Sequence, residues 1–141
     1  MKTIRYQIQD IDNVASQFSK DACDASVITF TGSLGAGKTT FVGALLKNWG
    51  VDSPVASPTF AYLNIYTLKD GRTAYHFDLY RLKNIQEFEM AGFFEYLYQA
   101  NSVALIEWPE ILEPVLTRSV CKVELKSVGS DERIMTYELK N

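Results

Sequence analysis

Cysteine is scarce in this sequence: Cys23 and Cys121 are the only two in 141 residues, far apart and in no C-x-x-C pair. That excludes a disulfide framework and a paired-cysteine metal or redox site, and it leaves two reduced thiols packed in the core of a cytoplasmic protein. One histidine, His76, leaves a zinc centre without ligands. Long apolar runs are missing too, since the longest, Phe41 to Leu46, falls far short of the roughly 20 residues of a membrane span. Met1 to Tyr6 carries neither an apolar stretch nor a small-residue cleavage site, so neither export nor membrane association is expected. Positive charge is in deficit, with 14 basic against 17 acidic residues and a formal charge of -3, which argues against strong unaided binding to a phosphate backbone. Repeats, low-complexity tracts and a Pro/Gly-rich linker are likewise lacking. A single domain spanning residues 1–141 is therefore expected.

What is present is an ordinary globular composition, 47% hydrophobic and 22% charged, that patterns as alternating strands and helices. Ile4, Tyr6 and Ile8 alternate with polar residues as a strand does, and Ile11, Val14, Ala15, Phe18 and Ala22 follow helical spacing behind Asp10 as a cap, predicting a helix over about 11–22. Ser26 to Thr31 reads as a strand that stops at Gly32, and Lys38 to Trp49 as a helix closed by Gly50. Two β-rich runs, 60–68 and 72–80, flank Lys69-Asp70-Gly71, a hairpin signal. Asn84 caps a helix through about Ala91, Gly92 breaks it, and a short helix follows to about Tyr98. Val103 to Ile106 is continuously apolar, as a strand buried on both faces must be, while 120–125 and 134–139 form a closing pair around Gly129-Ser130-Asp131. The predicted fold is α/β: a central, mostly parallel sheet flanked by helices, with a hairpin at about 60–80 and closing C-terminal strands.

Gly32-Ser33-Leu34-Gly35-Ala36-Gly37-Lys38-Thr39 satisfies G-x-x-x-x-G-K-[ST] between that strand and that helix, the context the motif requires. Its four fixed positions meet by chance in well under about 1% of chains this long. The chemistry follows from the backbone. Glycines let it wrap a polyphosphate closely, so that successive N–H groups and the positive end of the helix face the anion. Gly32, Gly35, Ala36 and Gly37 form this cradle, Lys38 neutralises β- and γ-phosphate charge, Thr39 is placed to ligate Mg²⁺, and Thr40 adds a contact nearer the α-phosphate.

Nucleotide-bound Mg²⁺ is usually held by one or two protein oxygens together with phosphates and water. Glu107, ending the buried run 103–106, is the natural carboxylate, the plainer alternative being a solvated strand end. Asp78 shares a strand face with His76 and Tyr80 that must be either solvated or lining a site; it is the candidate second carboxylate, while His76 reads equally as a structural hydrogen bond. Lys38, Glu107 and Asp78 make the candidate catalytic set. Thr59, in Ser57-Pro58-Thr59-Phe60, is placed to sense a γ-phosphate or to serve only as a turn residue, and Trp108 to pack near the nucleotide or to act as an ordinary amphipathic anchor. Between Asn84 and Thr117 lie Glu87, Glu89, Glu95, Glu107, Glu110 and Glu113 but no lysine or arginine, a solvated face or a dock for a basic protein.

The order GSLGAGKTT (32–40), SPTF (57–60), HFDLYRL (76–82) and IEWPE (106–110) resembles the bacterial TsaE (YjeE) family across the whole chain. The resemblance implies ATP binding and slow hydrolysis in support of TsaB and TsaD, which transfer the threonylcarbamoyl group to adenosine 37 of tRNAs reading ANN codons, so that tRNA is met only indirectly. It places Mg²⁺ on Thr39 and Glu107, the aspartate of H-F-D on Asp78, and adenine-side contacts near Ile8 to Asp10 and Arg133. Ser33 stands where the family commonly has aspartate. Two other readings compete: a nucleotide-dependent binding module with incidental turnover, and a small-molecule kinase, which would need an arginine-bearing lid where 84–117 has no arginine. A GTPase lacks its N-K-x-D.

Overall fold

The computed structural model describes residues 1–56, 58 and 62–141. Seven strands form one sheet in the order β1-β7-β6-β2-β5-β4-β3. They are β1 (Lys2–Gln7), β2 (Val27–Thr31), β3 (Leu63–Thr67), β4 (Thr73–Asp78), β5 (Ser102–Glu107), β6 (Val120–Val128) and β7 (Glu132–Lys140). The central four, β6-β2-β5-β4, are parallel to one another, and antiparallel partners flank them, β7 and β1 on one side and β3 on the other. The described residues also form three helices, α1 (Ile11–Asp21), α2 (Lys38–Asn48) and α3 (Ile85–Met90), with 3-10 turns at Ile8–Asp10, Phe93–Tyr96 and Glu110–Val115.

Strand alternation divides the core into two layers. Val103 and Leu105 of β5 join Ile28 and Phe30 of β2 under α1 and α2, packed by Phe18, Phe41, Leu45 and Leu46. Ala104 and Ile106 point the other way, to Phe77, Phe88, Leu112 and Leu116. This is why the run from 103 to 106 has no polar side: both faces of β5 are covered. Phe18 lies edge-on to Phe41 at 5.5 Å and to Tyr137 at 5.0 Å, which ties both helices to the antiparallel flank.

Local signals act where they were read. Gly71 takes φ +92° in the turn between β3 and β4, and the Asn84 side chain accepts from the Glu87 N–H at 3.0 Å. Gly92, with φ +78°, separates α3 from the following 3-10 turn.

Three expectations need correction. Asp10 makes no capping hydrogen bond, because the Ile8–Asp10 turn already winds the chain into α1. Cys23 is exposed and only Cys121 is in the core, where burial pushes its thiol up to about 12. The closing strands run to Val128 and from Glu132, beyond the apolar alternation, because backbone pairing continues where exposed polar side chains face water.

Candidate functional site

β2 ends at Thr31 and α2 starts at Lys38, so the glycine loop joins a buried strand to a helix N-terminus at the carboxyl end of the parallel strands. Gly32 has φ +147°, and a Cβ there would stand 2.4 Å from the Leu125 carbonyl oxygen of β6, so no other residue fits. Gly37, at φ +96°, is the last residue before α2, and a Cβ on it would lie 3.4 Å from the Arg133 Nε.

Lys38 is buried and folds back on its own loop. Its Nζ donates to the Gly32 carbonyl at 2.5 Å and the Ser33 carbonyl at 3.0 Å, and sits 4.0 Å from the Trp108 ring centroid. Burial pulls its pKa below the usual lysine range, opposed by the charges of Glu107, Glu110 and Asp78. The Thr39 hydroxyl lies 2.8 and 3.1 Å from the two oxygens of Glu107, which is 2% exposed. His76 Nε2 lies 2.6 Å from Glu107 Oε2, and His76 is fully buried. Asp78 stands opposite Glu107 in the β4–β5 register, half-buried, and its Oδ1 accepts from the Tyr80 N–H at 3.0 Å. Trp108 is held at φ +55°, a conformation costly for a bulky side chain, with the Tyr80 ring 4.8 Å away.

Apart from the buried His76 and from Tyr80, these groups open on one cleft of about 350 Å³, whose walls include Gly35, Gly37, Lys38, Thr39, Thr40, Asp78, Glu107, Trp108 and Arg133. Gly32 and Ala36 do not line it: Gly32 turns the chain against β6, and the buried Ala36 donates its N–H to Ser33 within the loop. Thr59 lies outside the described residues. Arg133 pairs across the ladder with Tyr6 and donates to the Ser130 and Glu132 carbonyls. The Ile8 to Asp10 turn is tied to the same corner through Ile8 N–H to Asp131, at 2.8 Å, but is not in the cleft wall. A larger hollow of about 530 Å³ shares Thr39 and Thr40 but is lined otherwise by Gly43, Lys47, Val51 to Ser53 and Val55, without the Glu107 carboxylate.

The donor set suits a hard cation. Thr39 and Glu107 supply oxygen, and among the described residues no group of three or more His, Cys, Asp or Glu forms a self-sufficient metal site. That pairing fits Mg²⁺, which takes its remaining ligands from phosphates and water. Sequence reasoning had no means of pairing His76 with Glu107 or stacking Lys38 on Trp108; the only signal was that His76 shares a face with Asp78.

Comparison with known proteins gives the family. Residues 6–135 match the family described as threonylcarbamoyl adenosine biosynthesis protein TsaE. The tRNA threonylcarbamoyladenosine biosynthesis protein TsaE of Rickettsia typhi is 33% identical over 134 residues, 94% of this chain and 91% of that protein. The protein of the same name from Bacillus subtilis is 33% identical over 141 residues, 97% of this chain and 86% of that one. The crystal structure of Bacillus subtilis YdiB superposes with a TM-score of 0.71 at 26% identity, covering 99% of this chain and 87% of that chain. With the glycine loop, the Thr39–Glu107 contact and a match over nearly its whole length, the chain belongs to the TsaE family of tRNA threonylcarbamoyladenosine biosynthesis proteins.

Proposed function

We propose that this chain is a Mg²⁺-dependent ATPase, a single-domain accessory protein of the cytoplasm that acts with TsaB and TsaD in threonylcarbamoyl modification of adenosine 37 in tRNAs reading ANN codons. The observation that carries the reading is the direct Thr39–Glu107 contact, which unites the helix start and the end of β5 at the mouth of a glycine loop. Loop N–H groups and the start of α2 hold the phosphates of ATP, and Lys38 neutralises β- and γ-phosphate charge. Thr39 and Glu107 hold the cation, whose contribution when bound is Lewis-acid stabilisation of charge on the phosphoryl oxygens. Asp78, beside Glu107, orients water at the metal side, and Arg133 faces the nucleotide from β7. The formal charge of -3 suits a protein that meets tRNA only through its partners.

A kinase reading loses support because the segment where a lid would fall packs Phe88 and Leu112 into the core. The test is nucleotide binding and phosphate release with and without TsaB and TsaD. Lys38→Ala is expected to abolish nucleotide binding, and Glu107→Ala to keep binding while removing hydrolysis. ATP affinity retained in Lys38→Ala would overturn the assignment. Binding without any partner stimulation would favour a nucleotide-dependent binding module.

A further inference from the structure

Glu107 and His76 are, with Thr29 and Lys38, the buried polar side chains among the described residues. The register sets His76 opposite Leu105 and Asp78 opposite Glu107, so the imidazole reaches Glu107 diagonally, two residues along the neighbouring strand. An ionised carboxylate only accepts, so the proton between the two groups sits on His76 Nε2. Nδ1 is buried with no hydrogen-bond partner among the described residues. A proton on Nδ1 would bury a donor with nothing among the described residues to receive it, whereas one on Nε2 is met by Glu107, so Nε2 is the nitrogen that donates. The ring is thus committed to one bond. It has no exposed surface from which to meet a nucleotide, and its donor nitrogen is already used.

We infer that His76 is a positioning residue: by anchoring Oε2 of Glu107 it holds the carboxylate where it accepts the hydrogen bond from the Thr39 hydroxyl, leaving the Thr39 lone pairs for a divalent cation. A threonine hydroxyl has one proton and two lone pairs, so directing the O–H at Glu107 fixes where the lone pairs point. His76 therefore sets affinity for the cation, not for the nucleotide. This rests on the assignment of Mg²⁺ to Thr39 and Glu107 proposed above. Partners of metal-site groups commonly change metal affinity by about 10- to 100-fold when removed.

The test uses the full chain without a histidine tag. Mn²⁺ binding is followed by electron paramagnetic resonance with ADP present, and ADP binding is measured separately in EDTA. His76→Leu, which keeps bulk but removes the donor, is expected to weaken Mn²⁺ about 10-fold or more while ADP affinity in EDTA stays within about twofold. His76→Gln, whose amide nitrogen can stand near the position of Nε2, restores most of the Mn²⁺ affinity. If His76→Leu does not fold, His76→Asn, polar but too short to reach Glu107, takes its place. Unchanged Mn²⁺ affinity in the variant lacking the donor overturns the inference, as does equal loss in His76→Gln, which would reduce the ring to filler. Because the chain has one histidine, ¹⁵N-histidine NMR reads this ring alone. A proton on Nε2 is expected, and a ring protonated only on Nδ1 overturns the inference by itself. Failure of the underlying metal assignment looks different: wild type and Thr39→Val would then bind Mn²⁺ equally, whatever stands at position 76.

Discussion

The carboxyl end of the parallel strands and the antiparallel flank of β7 and β1 belong to one sheet, yet they are stabilised in opposite ways. At the parallel end, Lys38, His76 and Glu107 are all buried within one small cluster, Trp108 is held at positive φ, and Gly32 is pressed against β6. On the flank the ladders are regular, and the charged pairs, Lys2 with Asp21 and Arg5 with Glu132, stand at the surface. Buried polar groups are costly unless each has a partner, whereas exposed pairs contribute little in either direction. The contrast teaches that the flank supplies ordinary packing and pairing while the parallel end carries strain and dry charge, the arrangement expected where chemistry is done.

The sharpest way to break this contrast is a pair of identical substitutions, one at each region. Gly32→Ala forces a Cβ to 2.4 Å from a backbone oxygen at φ +147°, so the loop must leave β6, and a loss of about 3 kcal/mol or more is expected in urea unfolding, with nucleotide binding lost as well. Gly129→Ala, in the turn between β6 and β7 at φ +66°, meets no atom within 4 Å and should cost only about 1–2 kcal/mol of backbone strain. Equal losses at the two sites would remove the distinction.

A smaller effect tests the flank itself. Tyr137, buried at its ring, donates its hydroxyl to Asp21 at 2.5 Å, joining β7 to the end of α1. Burial and the Asp21 charge raise its pKa, so it stays a donor throughout the neutral range. Tyr137→Phe keeps the ring against Phe18 and is expected to cost about 1 kcal/mol, with ATP turnover unchanged. A loss of turnover without a loss of stability would show that the flank communicates with the cleft.

The two regions also differ in how far the sequence discloses them. The glycine loop, Glu107 at the end of an apolar strand, the Asp70-Gly71 turn and the Asn84 cap are local patterns, each readable within a few residues because the chemistry that needs them is local. The His76–Glu107 bond spans 31 positions and exists only because β4 lies beside β5, and strand order is not written in periodicity. Alternation showed that His76 and Asp78 share a face; it carried no depth, so a fully buried ring and a half-buried carboxylate read alike. Arg133 is similar. Nothing local sets it apart from its neighbours, and only the pairing of β7 with β6 and β1 carries its guanidinium to Gly37.

The smallest expected effect concerns acid. Asp21 has its pKa lowered first by the hydrogen bond from Lys2, then by that from Tyr137 and by the Lys2 charge. A carboxyl whose folded pKa lies below its unfolded value of about 3.9 stabilises the fold above that value, and the contribution disappears as pH falls from there through the folded pKa. The side chains of Asp21 and Lys2 are 36% and 53% exposed, so water and salt screen the pair and the contribution stays under about 1 kcal/mol. Unfolding midpoints followed from pH 6 down to pH 3 should therefore fall slightly less steeply for Asp21→Asn than for wild type, and the gap should narrow in high salt. An identical slope would mean that the flank owes nothing to this charge.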